Sequence, residues 1–278
     1  MHLDRVDAPC SYRLILFPFA FPEIFMRLVD RFADTSPILT AWSGIASPEL
    51  IAHLAATAFD AVTIDMQHGM HSEREAFSAV IGIVQAGKPG ILRIPVGRND
   101  LASRALDAGF EAVIAPMINS VADARAFAAA MKYPPMGERS WGPAQALRLH
   151  PEFKAASYFA EANARTFAIA MIETREAAAA LDDILAIAGI DGVFVGPSDL
   201  SISWSGGAGL DPDRADMQDF VAEVAKKANA AGKFAAIYCG DPARARDYAA
   251  TGYRMMALGN DDLVIRTGAE ALVGKARS

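Results

Sequence analysis

Eight short apolar runs recur along the chain, near 39–43, 61–65, 90–94, 112–116, 167–172, 192–196, 234–238 and 254–258. Between them lie Ala-rich stretches whose apolar positions repeat at helical spacing. Short unbroken apolar runs predict strands buried on both faces, and their alternation with amphipathic helices predicts a parallel sheet. Eight such units predict a closed (β/α)8 TIM barrel in a single α/β domain. The helix starts carry chemical signals. Ser47-Pro48-Glu49 sets an N-cap and an N1 proline before a helix over 50–58. Ser72-Glu73-Arg74-Glu75 is a capping box before 76–85. Asn99 or Asp100 caps a helix ending at Gly109, Ser120 opens 121–131 and Thr174 caps 177–187. Asp211-Pro212 opens a long helix closed by Gly232, Asp241-Pro242 one closed by Gly252, and Asp261 starts the last.

Four strands stop on charge. The run 61–64 ends in Asp65-Met66-Gln67-His68-Gly69, 91–92 in Arg93, 167–172 in Glu173, and 193–195 in Gly196-Pro197-Ser198-Asp199. Charged groups are costly to desolvate, and residues at the carboxyl ends of barrel strands face the mouth where barrel enzymes work.

Composition narrows the partners. A net charge of −7 and a pI near 5.3 argue against nucleic acid, whose phosphates such a chain repels. Cys10 and Cys239 make no disulfide framework, which points to a reducing cytoplasm. The apolar stretch 14–22 has the look of a signal-peptide core, but Pro18 and Pro22 interrupt it and it is too short to span a membrane.

Two places break the βα rhythm. Residues 132–166 form a long connection containing Tyr133-Pro134-Pro135-Met136-Gly137 and Trp141-Gly142-Pro143, a length that in compact domains usually serves function or an interface. Residues 1–36 precede the barrel (37–278) as an extension of unknown role: a helix closing the barrel bottom, a partner-contacting arm, or residues upstream of the true start. The apolar side chains of Phe17, Phe19, Phe21 and Phe25, with those of Tyr133, Met136 and Trp141, exceed what one barrel is expected to bury. They predict a symmetric homo-oligomer.

Glu173 and Asp199 end neighbouring strands, so their carboxylates should face one another. Two hard oxygen ligands without a nearby Cys suit Mg²⁺ or Mn²⁺, with Co²⁺ a third candidate. Asp65 and His68 are close enough for the carboxylate to hold one ring nitrogen, leaving the other as a base. His68-x-x-His71 also has the spacing of a metal pair, although His71 reads better as part of the next helix start. Arg93 needs an anion, and a ligand carboxylate or enolate is preferred to a protein acid. Gly196-Pro197-Ser198-Asp199 offers the N–H groups of Ser198 and Asp199 at a helix start, a site for a substrate carboxylate. Met117, Met171, Met255 and Met256 read as packing. No strand interior holds a lysine, which disfavours Schiff-base chemistry.

Taken together, 59–69, Leu92-Arg93-Ile94-Pro95, 133–139, Ile172-Glu173-Thr174-Arg175-Glu176-Ala177 and 191–201 resemble the metal-dependent class II pyruvate aldolases of the aldolase/citrate lyase family, of the 4-hydroxy-2-oxoheptanedioate aldolase type. The resemblance runs over about residues 38–265. It implies a carbon–carbon lyase that splits a 4-hydroxy-2-oxo acid into pyruvate, or a related 2-oxo acid, and an aldehyde. It implies Glu173 and Asp199 as metal ligands, His68 with Asp65 as the catalytic pair, Arg93 on pyruvate and its enolate, Gly196, Ser198 and Asp199 around the pyruvate carboxylate, and a hexamer. Gln67 stands where the family often has Glu, and Met171 where it often has Gln. Two rivals share the barrel: a citrate-lyase-like or malyl-CoA-lyase-like enzyme acting on a CoA thioester, and a barrel that only binds. The first should lack the Asp65–His68 pair, and the second should have lost charged residues that are all present here.

Overall fold

The structure, a computed structural model, describes residues 27–278. The stretch 14–22, Cys10 and the side chains of Phe17, Phe19, Phe21 and Phe25 lie outside the described residues. All eight expected strands are present: β1 (Ile38–Ser43), β2 (Ala61–Asp65), β3 (Gly90–Arg93), β4 (Ala112–Ala115), β5 (Phe167–Ile172), β6 (Gly192–Val195), β7 (Phe234–Cys239) and β8 (Met255–Leu258). Each pairs in parallel with the next, and β8 pairs back onto β1, closing the barrel.

Strand side chains alternate between faces. Ile91, Ile169, Met171 and Phe194 fill the barrel interior, while Val62, Ile64, Val113 and Val193 pack outward beneath the helices. The parity that sends Ile91 inward also sends Arg93 there, two residues on. Thr63 is likewise followed by Asp65, and Met171 by Glu173. The charged strand ends therefore converge over one packed interior.

The opposite end is closed. Helix Leu28–Ala33 lies across it, with Leu28 fully buried among the interior residues and Phe32 stacked on Phe234 at 4.0 Å between ring centroids. Phe32 also lies 5.0 Å from Phe167.

The connection after helix Val121–Met131 is more ordered than its prolines imply, because it contains helices Ala144–Leu149 and Ala155–Arg165. Neither has a side-chain N-cap bond, so neither announces its start. Lys132 ties the connection down: its Nζ reaches Asn163 O at 2.9 Å, Thr166 O at 2.6 Å and Asp191 at 2.7 Å. Tyr133, expected at the surface, is buried; Met136, Trp141 and Phe159 stay about half exposed.

Several helix starts also differ from expectation. Arg98, not Asn99 or Asp100, precedes helix Asn99–Ala108. Asp211 folds its own turn by accepting from Asp213 N–H at 3.1 Å, which delays the helix to Ala215–Ala230. The 177–187 stretch divides at Ala180 into Arg175–Ala179 and Leu181–Leu185. Among the described residues no helix is long and apolar enough to cross a membrane.

Candidate active site

Asp65, His68, Arg93, Glu173, Ser198 and Asp199 all line one cavity of about 420 Å³ at the carboxyl end of the barrel. The strand-end reading therefore brought the expected residues to one place. Their pairing differs from expectation in two respects.

Asp65 and Arg93 are register partners on β2 and β3. Arg93 Nε donates to Asp65 Oδ1 at 2.8 Å and Nη2 to Oδ2 at 2.6 Å, a two-pronged pair in which both residues are buried. The anion beside Arg93 is thus a protein acid, correcting the preference for a ligand. Asp65 likewise does not hold the His68 ring. Its Oδ1 accepts the backbone N–H groups of Gln67 at 2.9 Å and His68 at 3.2 Å, so it fixes the loop and not the imidazole tautomer. The adjacent strand supplies a full positive charge at hydrogen-bond distance, and that outcompetes a ring three residues away. Burial raises the Asp65 carboxyl, but Arg93 and the two N–H groups outweigh it and hold the group below the usual carboxylate range. Trp42 completes this corner: its ring lies 4.8 Å from the guanidinium carbon and its Nε1–H donates to Asp65 Oδ2 at 3.3 Å.

Glu173 is 1 % exposed at the end of β5. Its Oε1 accepts the N–H of Met117 at 2.7 Å. Met117 follows β4 with φ of 54°, a left-handed conformation costing a non-glycine residue about 1–3 kcal/mol, which here aims that N–H. Oε2 is buried with no partner. A Cβ on Gly196 would meet Oε2 at 2.5 Å, so only glycine lets β6 lie this close. Burial, reinforced by the charge of Asp199, pushes the Glu173 carboxyl up to about 7 against the opposing pull of Met117 N–H and Arg93.

Gly196 is the N-cap residue of helix Pro197–Trp204, which starts where expected, with Pro197 at its first position. The N–H groups of Ser198 and Asp199 fall in its first turn, where a helix offers no internal acceptor. His68 is exposed at the cavity rim, and His71 is buried against Ser43 instead of facing His68. Among the described residues no cluster of three or more His, Cys, Asp or Glu could hold a metal; Glu173 and Asp199 line the cavity together. No lysine lines the cavity. Lys132 is desolvated, and burial lowers its pKa despite Asp191, but it sits below the strand starts.

Three residues went unrecognised from sequence. Trp42 and Tyr238 line the cavity from β1 and β7 and looked like ordinary apolar strand residues. Asp261 lines it from just past β8; the strand-end rule applied to Asn260-Asp261-Asp262 would have found it.

Acids at the mouth of a closed barrel, beside an anion-ready helix start, define the class of α/β-barrel enzymes that work at the carboxyl ends of their strands. The model of the HpcH/HpaI aldolase/citrate lyase family matches residues 39–267, and the chain belongs to that family. It is 35% identical over 243 residues to a hydroxypyruvate/pyruvate aldolase of Rhizorhabdus wittichii, covering 87% of this chain and 95% of that one. It is 32% identical to a 4-hydroxy-2-oxo-heptane-1,7-dioate aldolase of Salmonella heidelberg, covering 88% and 92%. A crystal structure of a family member from Burkholderia cenocepacia superposes with a TM-score of 0.78 at 28% identity, covering 90% of this chain and 99% of that one. The chain is a carbon–carbon lyase of the pyruvate aldolase type.

Proposed function

We propose that this lyase is divalent-metal-dependent and joins or separates a pyruvate-like 2-oxo acid and an aldehyde. One observation carries the metal: Glu173 Oε2 is buried and unpartnered, on a residue that lines the same cavity as Asp199. A cation relieves both the missing hydrogen bond and the repulsion between the two acids. Glu173 and Asp199 would hold Mg²⁺ or Mn²⁺ (Co²⁺ being a third option), leaving other positions for water and substrate oxygens. When bound, the ion supplies positive charge where the negative charge of the 2-oxo acid's enolate develops.

The chain's own groups do the rest. The N–H groups of Ser198 and Asp199 receive the substrate carboxylate. Arg93 commits Nε and Nη2 to Asp65, which fixes its plane and leaves Nη1 for the substrate anion. His68 takes the C3 proton in synthesis and the 4-hydroxyl proton in cleavage. Pyruvate or hydroxypyruvate as the donor fits the named activities of the relatives. The cytoplasm suits an enzyme whose buried Cys239 is free.

The test is exchange of pyruvate C3 hydrogens in deuterated water with and without Mg²⁺ or Mn²⁺. Metal-dependent exchange is expected. No exchange and no cleavage of any free 4-hydroxy-2-oxo acid, together with turnover of a CoA ester, would replace this reading.

Arg93→Ala leaves Asp65 as an unpaired buried charge, so a stability loss of about 3–5 kcal/mol is expected in denaturant titration. Arg93→Lys keeps the charge without the planar fork. It should fold but raise the pyruvate KM by on the order of tenfold or more, one lost charge-assisted bond. Full recovery of KM by Lys would deny Arg93 its place on the substrate.

A homo-oligomer, the hexamer implied by the resemblance, is also proposed. Trp141 and Phe159 are 47% and 50% exposed beside buried Tyr133. Helix Asp261–Arg277 likewise leaves Ile265, Leu272 and Val273 uncovered. Apolar surface of this kind marks interfaces. Light scattering should return a multiple of the 29.6 kDa chain mass, and a clean monomer would reject the assembly.

A further inference from the structure

Asp261 is 3% exposed at the first turn of the last helix, although that helix does not need it as a cap. Asn260 does that work, accepting Leu263 N–H on Oδ1 at 3.0 Å. Asp261 Oδ2 turns instead toward the loop after β1. It accepts three hydrogen bonds there: Ile45 N–H at 2.7 Å, Gly44 N–H at 2.9 Å and Ser43 Oγ at 3.1 Å. A carboxylate that trades hydration for three donors from one short loop fixes that loop firmly.

The β1 loop in turn holds the loop after β2. Gly44 O accepts Met70 N–H at 2.8 Å. The two backbones touch at Gly69, where a Cβ would meet Gly44 Cα at 3.0 Å and Gly44 O at 3.2 Å. His71 Nε2 lies 3.2 Å from Ser43 O and 3.3 Å from Ser43 Oγ. His68 therefore hangs between two anchorages. Asp65 grips its own N–H, and Gly44, held by Asp261, grips the residue two positions on.

We infer that Asp261 is a positioning residue that sets the aim of the His68 imidazole by way of Gly44 and Met70. The inference rests on the reading of His68 as the base. No bond links Asp261 to Glu173, Asp199 or Arg93 among the described residues, so metal and 2-oxo acid binding should be insensitive to it.

The experiment is a double-mutant cycle on pyruvate C3 exchange in the full chain with saturating Mn²⁺. Asp261→Ala should lower kcat for exchange by about 10- to 100-fold, the scale of a misplaced catalytic group, with the pyruvate KM within about twofold of wild type. In the His68→Ala background the same substitution should change residual exchange by less than about twofold, because there is no base left to misplace. Asp261→Asn retains one oxygen to accept from Gly44 and Ile45, and its loss should fall between wild type and Asp261→Ala. If Asp261→Ala does not fold, Asp261→Asn carries the cycle with the same non-additivity expected. Equal losses in both backgrounds, or a raised KM with unchanged kcat, would overturn the inference alone. Unchanged exchange in His68→Ala by itself would overturn the base assignment and this inference with it.

Discussion

Glu173→Gln is expected to remove tight Mn²⁺ binding and to lower pyruvate C3 exchange by on the order of 10³-fold or more. That factor corresponds to several kcal/mol of charge stabilisation at about 1.4 kcal/mol per decade. Asp199 alone is too few oxygens to retain a hard cation against water. Thorough chelation should reproduce the loss in the wild type, and added Mg²⁺ or Mn²⁺ should reverse it there but not in the variant. Stability should move the other way. Burial, with the Asp199 charge, raises the Glu173 carboxyl to about 7, above the ordinary glutamate value of 4.5. The group therefore supports the metal-free fold best below its unfolded pKa, and that support is lost as pH rises through about 7. A neutral Gln has no such loss, so at pH 8 without metal the variant should melt no lower than wild type. Exchange that survives chelation, with a pyruvate adduct trapped by borohydride, would transfer the chemistry to an amine.

His68→Ala is expected to slow exchange by about 10²–10⁴-fold, the range for a removed acid–base group. Mn²⁺ affinity should hardly change, because among the described residues no hydrogen bond joins His68 to Glu173 or Asp199. Isothermal titration with Mn²⁺ beside proton-exchange NMR separates the two effects. A variant that lost metal and exchange together would mark His68 as a ligand and leave the base unassigned.

The eight strands were legible because a strand covered on both faces must be apolar at every position, and such runs stand out against amphipathic helices. Asp65, Arg93, Glu173 and Asp199 were legible for the complementary reason: a charge that ends such a run has to face the mouth. Hydrogen-bond partners were not legible. Asp65 and His68 are three residues apart, and proximity in the chain invited a pair. Register set Arg93, 28 residues away, directly opposite the acid. No local pattern encodes register between strands separated by a whole helix. Asp261 was hidden in the same way, since its contact with Ser43 spans 218 residues and exists only because β8 closes onto β1. The helices of the 132–166 connection were missed because Pro143 and Lys154 precede them in place of capping side chains.

The aromatic plug formed by Phe32, Phe167 and Phe234 gives the reaction a traffic rule. With the bottom stoppered and the interior packed solid, everything that enters must leave by the same opening. The 2-oxo acid, seated at the floor between Glu173 and the helix start at Gly196, would then be screened from solvent by whatever sits above it. On the proposed seating, synthesis in such a cup is expected to run in sequence, with the 2-oxo acid first in and the aldehyde second. Cleavage is then expected to run backward, with the aldehyde departing before the 2-oxo acid and a lingering aldehyde slowing its exit.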